Sequence, residues 1–187
     1  VAMILSEDGG LWSVGPNLLE SNWAEKVKEY YLKGDTNTIQ QCLKRIGLAN
    51  TSTTYLTKLS YEVKIPCYLN GSSKYNWSKV NVFFNVTLWE QIWGDNWKEE
   101  LANLIGLNST VKRYRYNISI CYMNGSIVDN WTIGYPLYMY RNGEKIFIPK
   151  EFGKFERIVV VDSDYNPDSD SSDDLINSLR RLVVYVW

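Results

Sequence analysis

The sequence predicts an α+β fold: two tandem helix-then-antiparallel-hairpin units, followed by a C-terminal acidic loop, helix and strand. Three observations support this. First, Cys67-Tyr-Leu-Asn-Gly-Ser-x-x-x-Asn-Trp-Ser78 recurs with identical spacing as Cys121-Tyr-Met-Asn-Gly-Ser-x-x-x-Asn-Trp-Thr132. Second, Ile46-Gly-Leu-Ala-Asn-Thr51 matches Ile105-Gly-Leu-Asn-Ser109 upstream, and Asn22-Trp23 matches Asn96-Trp97. Third, each copy passes from helical spacing to strand alternation. The expected divisions are 1–20, an N-terminal strand or arm; 21–89, repeat unit 1; 95–148, repeat unit 2; and 149–187, the acidic loop with the C-terminal helix and strand.

In unit 1, Trp23, Val27 and Tyr30-Tyr31 recur at helical spacing. Gly34-Asp35 interrupts the run, and Ile39, Leu43 and Ile46 resume it over Thr38 to Ile46, predicting a second short helix. Tyr61 to Leu69 reads as a strand, with Pro66 as a bulge. Val80, Val82, Phe84, Val86 and Leu88 then alternate as the apolar face of another strand, which places Asn85 on its opposite face. In unit 2, Trp97 to Ile105 puts Leu101, Leu104 and Ile105 on one helical face, with Gly106 in the C-cap region. Over Tyr114 to Met123, Tyr114, Tyr116, Ile118, Ile120 and Tyr122 share one strand face, and Asn117 and Ser119 share the other.

Asn70-Gly71, Asn124-Gly125 and Asn142-Gly143 predict hairpin turns, because Asn-Gly accepts the positive φ angles of a type I′ turn. The third turn joins Pro136–Tyr140 to Lys145–Pro149. Leu175, Ile176, Leu179 and Leu182 read as a helix that gives way to the β-favouring Val183-Val-Tyr-Val-Trp187. Such an apolar end, like Val1 to Leu5, must pair within its own fold or with a neighbouring subunit.

The 187 residues carry a net charge of −1 with no block of Lys or Arg, so no nucleic-acid partner is expected. No apolar run reaches the length of a membrane span. Histidine is absent, which removes the commonest general base and most zinc sites. Glu25, Glu29, Glu90, Glu99, Glu100 and Glu151 remain as candidates for carboxylate catalysis, but no spacing pairs them. The reading is therefore non-enzymatic.

Asn-x-Ser/Thr occurs eight times, at Asn50, Asn70, Asn76, Asn85, Asn108, Asn117, Asn124 and Asn130. Chance would give about two such triplets at this composition. None of the Asn residues outside 50–130 heads one. The middle of the chain thus reads as a band of N-glycosylation acceptors, which implies an extracellular protein carrying covalent N-glycans. In an extracellular setting Cys67 and Cys121, equivalent positions of the repeat, are candidates for a disulfide, and Cys42 is left as a thiol on the second helix.

Asp162, Asp164, Asn166, Asp170 and Asp173 occupy positions 1, 3, 5, 9 and 12 of a loop that resembles the calcium loops of EF-hand and dockerin proteins. The resemblance implies a possible calcium site. Pro167 stands where those loops turn on Gly, and Asp173 stands where EF-hands use a bidentate Glu. The other reading of the segment is a solvated acidic cap for the last helix.

In composition the chain resembles surface and virion structural glycoproteins of thermoacidophilic archaea and their viruses: rich in Asn, Tyr, Trp and Ile, crowded with sequons and poor in cysteine. Spindle-shaped virus tail proteins and donor-strand surface threads are examples of that group. The resemblance implies a structural subunit that binds copies of itself or other subunits, located extracellularly, at a cell surface or in a virion. The alternative is a secreted glycosylated binding module, a viral ectodomain that takes a receptor, a sugar or an immune ligand. In that reading Trp77 and Trp131, in equivalent Asn-Trp pairs, stack on the ligand from loop tips.

Overall fold

A computed structural model describes residues 5, 9–16, 18–49, 68–69, 72–108, 113–162 and 179–187. The fold is α+β. Besides the helical residue Leu5, five α-helices lie among the described residues: α1 (Trp23–Leu32), α2 (Thr36–Cys42), α3 (Trp77–Phe83), α4 (Val86–Trp93) and α5 (Trp97–Leu104). None is long and apolar enough to cross a membrane. β1 (Leu11–Gly15), β2 (Leu18–Glu20) and β3 (Leu43–Arg45) form a small sheet in the order β2-β1-β3.

The main sheet has six strands. They are β4 (Tyr68–Leu69), β5 (Ser72–Asn76), β6 (Tyr116–Cys121), β7 (Ile127–Gly134), β10 (Gly153–Asp162) and β11 (Leu179–Val186), ordered β4-β5-β10-β11-β6-β7. All neighbours are antiparallel except β5 and β10, which run parallel with Asp162 opposite Asn76. β8 (Tyr138–Arg141) and β9 (Glu144–Phe147) make a separate hairpin.

One face of the main sheet, carrying Tyr75, Tyr116, Ile118, Ile120, Trp131, Ile133, Val159, Val161, Leu182 and Val184, joins the buried faces of the helices in one core. The helical contribution includes Trp23, Val27, Phe83, Trp89, Trp97 and Leu101. Trp23 and Trp97, the repeat-equivalent residues, are the first residues of α1 and α5 and both are buried. The Ile-Gly-Leu segments that follow also meet, because the Ile46 amide donates to the Leu104 carbonyl at 3.0 Å. Gly106, at φ +72°, closes α5 while the Leu107 amide donates to the Ala102 carbonyl at 2.7 Å. At the other chain end, Leu5 is helical and buried, and its carbonyl accepts from the Leu48 amide at 3.0 Å.

Several expectations are corrected. Val80 to Leu88 is not a strand: it spans α3, a corner at Phe84-Asn85, and the start of α4. An apolar run with hydrophobic residues on every side suits a buried helix as well as a strand. Here the side chains of Asn76 and Asn85 decide the outcome, since each accepts a hydrogen bond from the amide three residues on and so starts a helix. Leu43 to Arg45 is a strand rather than the end of the second helix, because it pairs with β1. Leu179 and Leu182 likewise sit in β11, not in a helix; Leu175 and Ile176 lie outside the described residues. Asn124 does not take a positive φ; Gly125 alone does so at that tip, at +91°, so its turn is not type I′. Asn142 (+53°) and Gly143 (+82°) do form that turn, joining β8 to β9.

The apolar C-terminus pairs within its own fold. β11 lies between β10 and β6 and is hydrogen-bonded on both sides. Val183 and Val184, on opposite faces of this central strand, are both buried. That position removes this strand as an arm to be lent to a neighbour.

Candidate functional site

The acceptor band falls into three structural environments. Asn76 and Asn85 are helix N-caps: Asn76 Oδ1 accepts from the Lys79 amide and Asn85 Oδ1 from the Leu88 amide, both at 3.1 Å. The bond uses the oxygen, and Asn85 is an exposed residue. Asn124 is also exposed, and its Oδ1 accepts from both the amide (2.9 Å) and the hydroxyl (2.8 Å) of Ser126. The Asn and Ser of that triplet are thereby folded against each other in an Asx turn.

Asn117 is different. It is only 5% exposed, its Nδ2 donates to the Tyr135 carbonyl at 2.9 Å, and its Oδ1 accepts from Ser119 Oγ at 3.2 Å. Ser119 Oγ lies 3.1 Å from Thr132 Oγ1 across the β6–β7 pair. A strand places residues two apart on one face, so Asn-x-Ser here builds a polar ladder. A sugar on Asn117 requires breaking that ladder. Asn108 is half-buried, with weak contacts to the Glu99 carbonyl and the Tyr114 amide, each at 3.4 Å. Asn130 lies in β7. Asn50 and Asn70 are outside the described residues.

Beside Asn85, the α3–α4 corner and the edge strand β7 enclose an open cleft of about 580 Å³. The edges of Phe84 and Trp131 supply its aromatic side, and Asn81, Asn85 and Thr87 its polar rim; Thr132 also borders it, with its hydroxyl held by Ser119. No charged residue lines it. Trp131 is anchored from behind: its ring meets Trp77 edge-on at 5.0 Å and lies nearly parallel to Phe84 at 6.3 Å. Trp77 and Trp131 are therefore packed against each other, not displayed on loop tips. The repeat does bring them together, although Asn76 starts a helix in one copy and Asn130 continues a strand in the other.

The β8–β9 hairpin is the second notable surface. Phe147, Phe152 and Tyr185 form an aromatic knot at its base, with ring centroids 5.2 to 6.2 Å apart. Tyr138 packs on Phe147 at 5.3 Å and carries the Lys145 ammonium over its other side at 4.1 Å. Beyond the knot, Met139, Tyr140 and Ile146 are exposed, Tyr140 at 74%, and Phe152, Phe155 and Ile158 extend the exposed apolar area along the loop and β10.

Of the expected Cys67–Cys121 pair, Cys121 is a free thiol, and Cys67 lies outside the described residues. Burial pushes the Cys121 thiol pKa up, so it is a poor nucleophile. Cys42 is a half-buried free thiol at the end of α2. Asp162 ends β10, while Asp164, Asn166, Asp170 and Asp173 lie outside the described residues. Among the described residues no group of His, Cys, Asp or Glu is arranged to hold a metal.

Of the candidate glutamates, Glu29 pairs with Lys33 (2.6 Å) and Lys26 (3.4 Å) on the surface of α1, and the hydrogen bond from Lys33 lowers its pKa. Glu99 accepts from Tyr135 Oη at 2.9 Å. Near it, Tyr116 Oη donates to the Lys98 carbonyl at 3.0 Å, and burial pushes both phenol pKa values up. These tyrosines are held neutral and hydrogen-bonded, as structural groups are. Sequence reasoning missed the cleft and the hairpin knot, because both depend on residues far apart in the chain. No family model, no curated protein and no solved structure matches the chain.

Proposed function

We propose that this chain is an extracellular N-glycosylated structural protein, non-catalytic, serving as a subunit of a virion tail or capsid or of a cell-surface filament. The observation that carries this reading is the β8–β9 arm: a hairpin pinned by an aromatic knot whose outer residues Met139, Tyr140 and Ile146 are held in solvent. An ordered, exposed apolar arm is suited to a protein partner. The exposed acceptors Asn85 and Asn124 add the glycan-bearing surface. With β11 enclosed in the sheet, contact between subunits falls to the arm. If each arm seats on a different patch of the next copy, the contact is heterologous and builds a ring or a filament.

The test is the assembly state of the full-length protein, followed by light scattering and electron microscopy. A Met139→Ser/Tyr140→Ser variant is expected to lose assembly while keeping the circular dichroism and melting temperature of the parent. A parent that stays monomeric at all concentrations, or a variant that assembles as well as the parent, contradicts the reading.

A secreted binding module is the second reading, favoured by the uncharged, aromatic-sided cleft at Phe84 and Trp131. It predicts that a free neutral ligand binds there and quenches Trp131 fluorescence.

A further inference from the structure

We propose that the cleft beside Asn85 is the seat of the N-glycan attached to Asn85 itself, so that this sugar is part of the packed structure and not only a surface shield. The inference rests on the glycosylated reading above and extends it to one site. Its starting point is that a modification acceptor forms the wall of a cleft: Asn85 lines the same space as Phe84, Thr87, Trp131 and Thr132.

Three features fit the occupant. The cleft is about 580 Å³, within the roughly 300–1,000 Å³ of small-ligand sites. Its lining is uncharged and combines the accessible edges of Phe84 and Trp131, which are 5% and 8% exposed, with the amides of Asn81 and Asn85 and the hydroxyl of Thr87. That combination matches a neutral sugar, whose ring has an apolar face and a hydroxyl rim. Finally, the cap bond from the Leu88 amide at 3.1 Å ties down Oδ1, which fixes the plane of the carboxamide and the direction in which a group on Nδ2 leaves. A sugar tethered there has an effective concentration that free saccharides do not reach. Asn124, exposed at a hairpin tip, is not among the residues lining this cleft, so its sugar is expected to stay in solvent.

The experiment compares parent, Thr87→Ala and Ser126→Ala proteins from an N-glycosylating host, with the same proteins from a non-glycosylating host as controls. Thr87→Ala removes the acceptor triplet and leaves the Asn85 cap intact. Glycopeptide mass spectrometry is expected to find sugar on Asn85 in the parent. Loss of that sugar in Thr87→Ala is expected to speed hydrogen exchange several-fold at 84–87 and 131–132 and to raise quenching of Trp131. Ser126→Ala should leave both readouts unchanged, and Thr87→Ala should have no effect in the unglycosylated background. Sugar on Asn85 whose loss leaves exchange and quenching unchanged overturns the seated glycan alone. Sugar at other sites but not at Asn85 also overturns it, and a chain bare at every site overturns the glycosylated reading as well.

Discussion

Asn85 shows how one residue type carries several duties. Its cap bond to the Leu88 amide is worth about 1 kcal/mol by analogy with other caps, so Asn85→Ala is expected to lower stability by that amount in denaturant unfolding, and Asn85→Asp to keep most of it. Equal losses in the two variants would argue against the cap. Asn117 and Asn124 are the contrasting cases, one locked in a strand ladder and one in an Asx turn. An Asn-x-Ser/Thr triplet looks the same in all three settings, so sequence alone places them in one class. Only the partners, Leu88, Tyr135 and Ser126, separate them. Tyr116 and Tyr135 give a prediction in pH. Their folded-state pKa values lie above the ordinary 10.0 because burial disfavours the phenolate. Below pH 10 both states are protonated and no stability is lost. Above it the unfolded chain sheds protons that the folded chain keeps, so stability falls as pH rises. Tyrosinate absorbance for the buried Tyr116 is expected to appear together with alkaline unfolding and not before it.

Among elements, the amphipathic α1 and α5, the alternating β6 and the β8–β9 hairpin were legible, because each presents a single clear period or turn signal. The α3–α4 pair was not legible, because Val80, Val82, Phe84, Val86 and Leu88 satisfy a strand period that the Asn76 and Asn85 caps override. β7 ends on Gly134, at φ +110°, against the carbonyl and ring of Tyr116. A methyl group there collides with backbone, so Gly134→Ala is expected to cost about 1–3 kcal/mol from backbone strain with further loss from the clash. Thermal melting checks it, and an unchanged melting temperature would contradict the close approach. For β11, deletion of Val183 to Trp187 is expected to unfold the protein rather than merely prevent assembly, since the strand joins β10 to β6. A folded truncated protein by circular dichroism would contradict that placement.

Across the whole molecule, the sequence repeat is only partly a structural one. Trp23 with Trp97, the two Ile-Gly-Leu turns and Trp77 with Trp131 occupy related places in one core, yet the two hairpins lie at opposite edges of a sheet divided by β10 and β11. Local pattern cannot reveal that arrangement, because the dividing strands come from the end of the chain. What the fold leaves outside is the β8–β9 arm and the acceptors Asn85 and Asn124, and on these the proposed extracellular, assembly-forming role depends. Glycopeptide mapping of the protein isolated from its natural source tests that role most directly. The account predicts peptides carrying Asn85 and Asn124 that are heavier by whole sugar residues, with Asn117 unmodified. Unmodified peptides at every Asn-x-Ser/Thr triplet would contradict it.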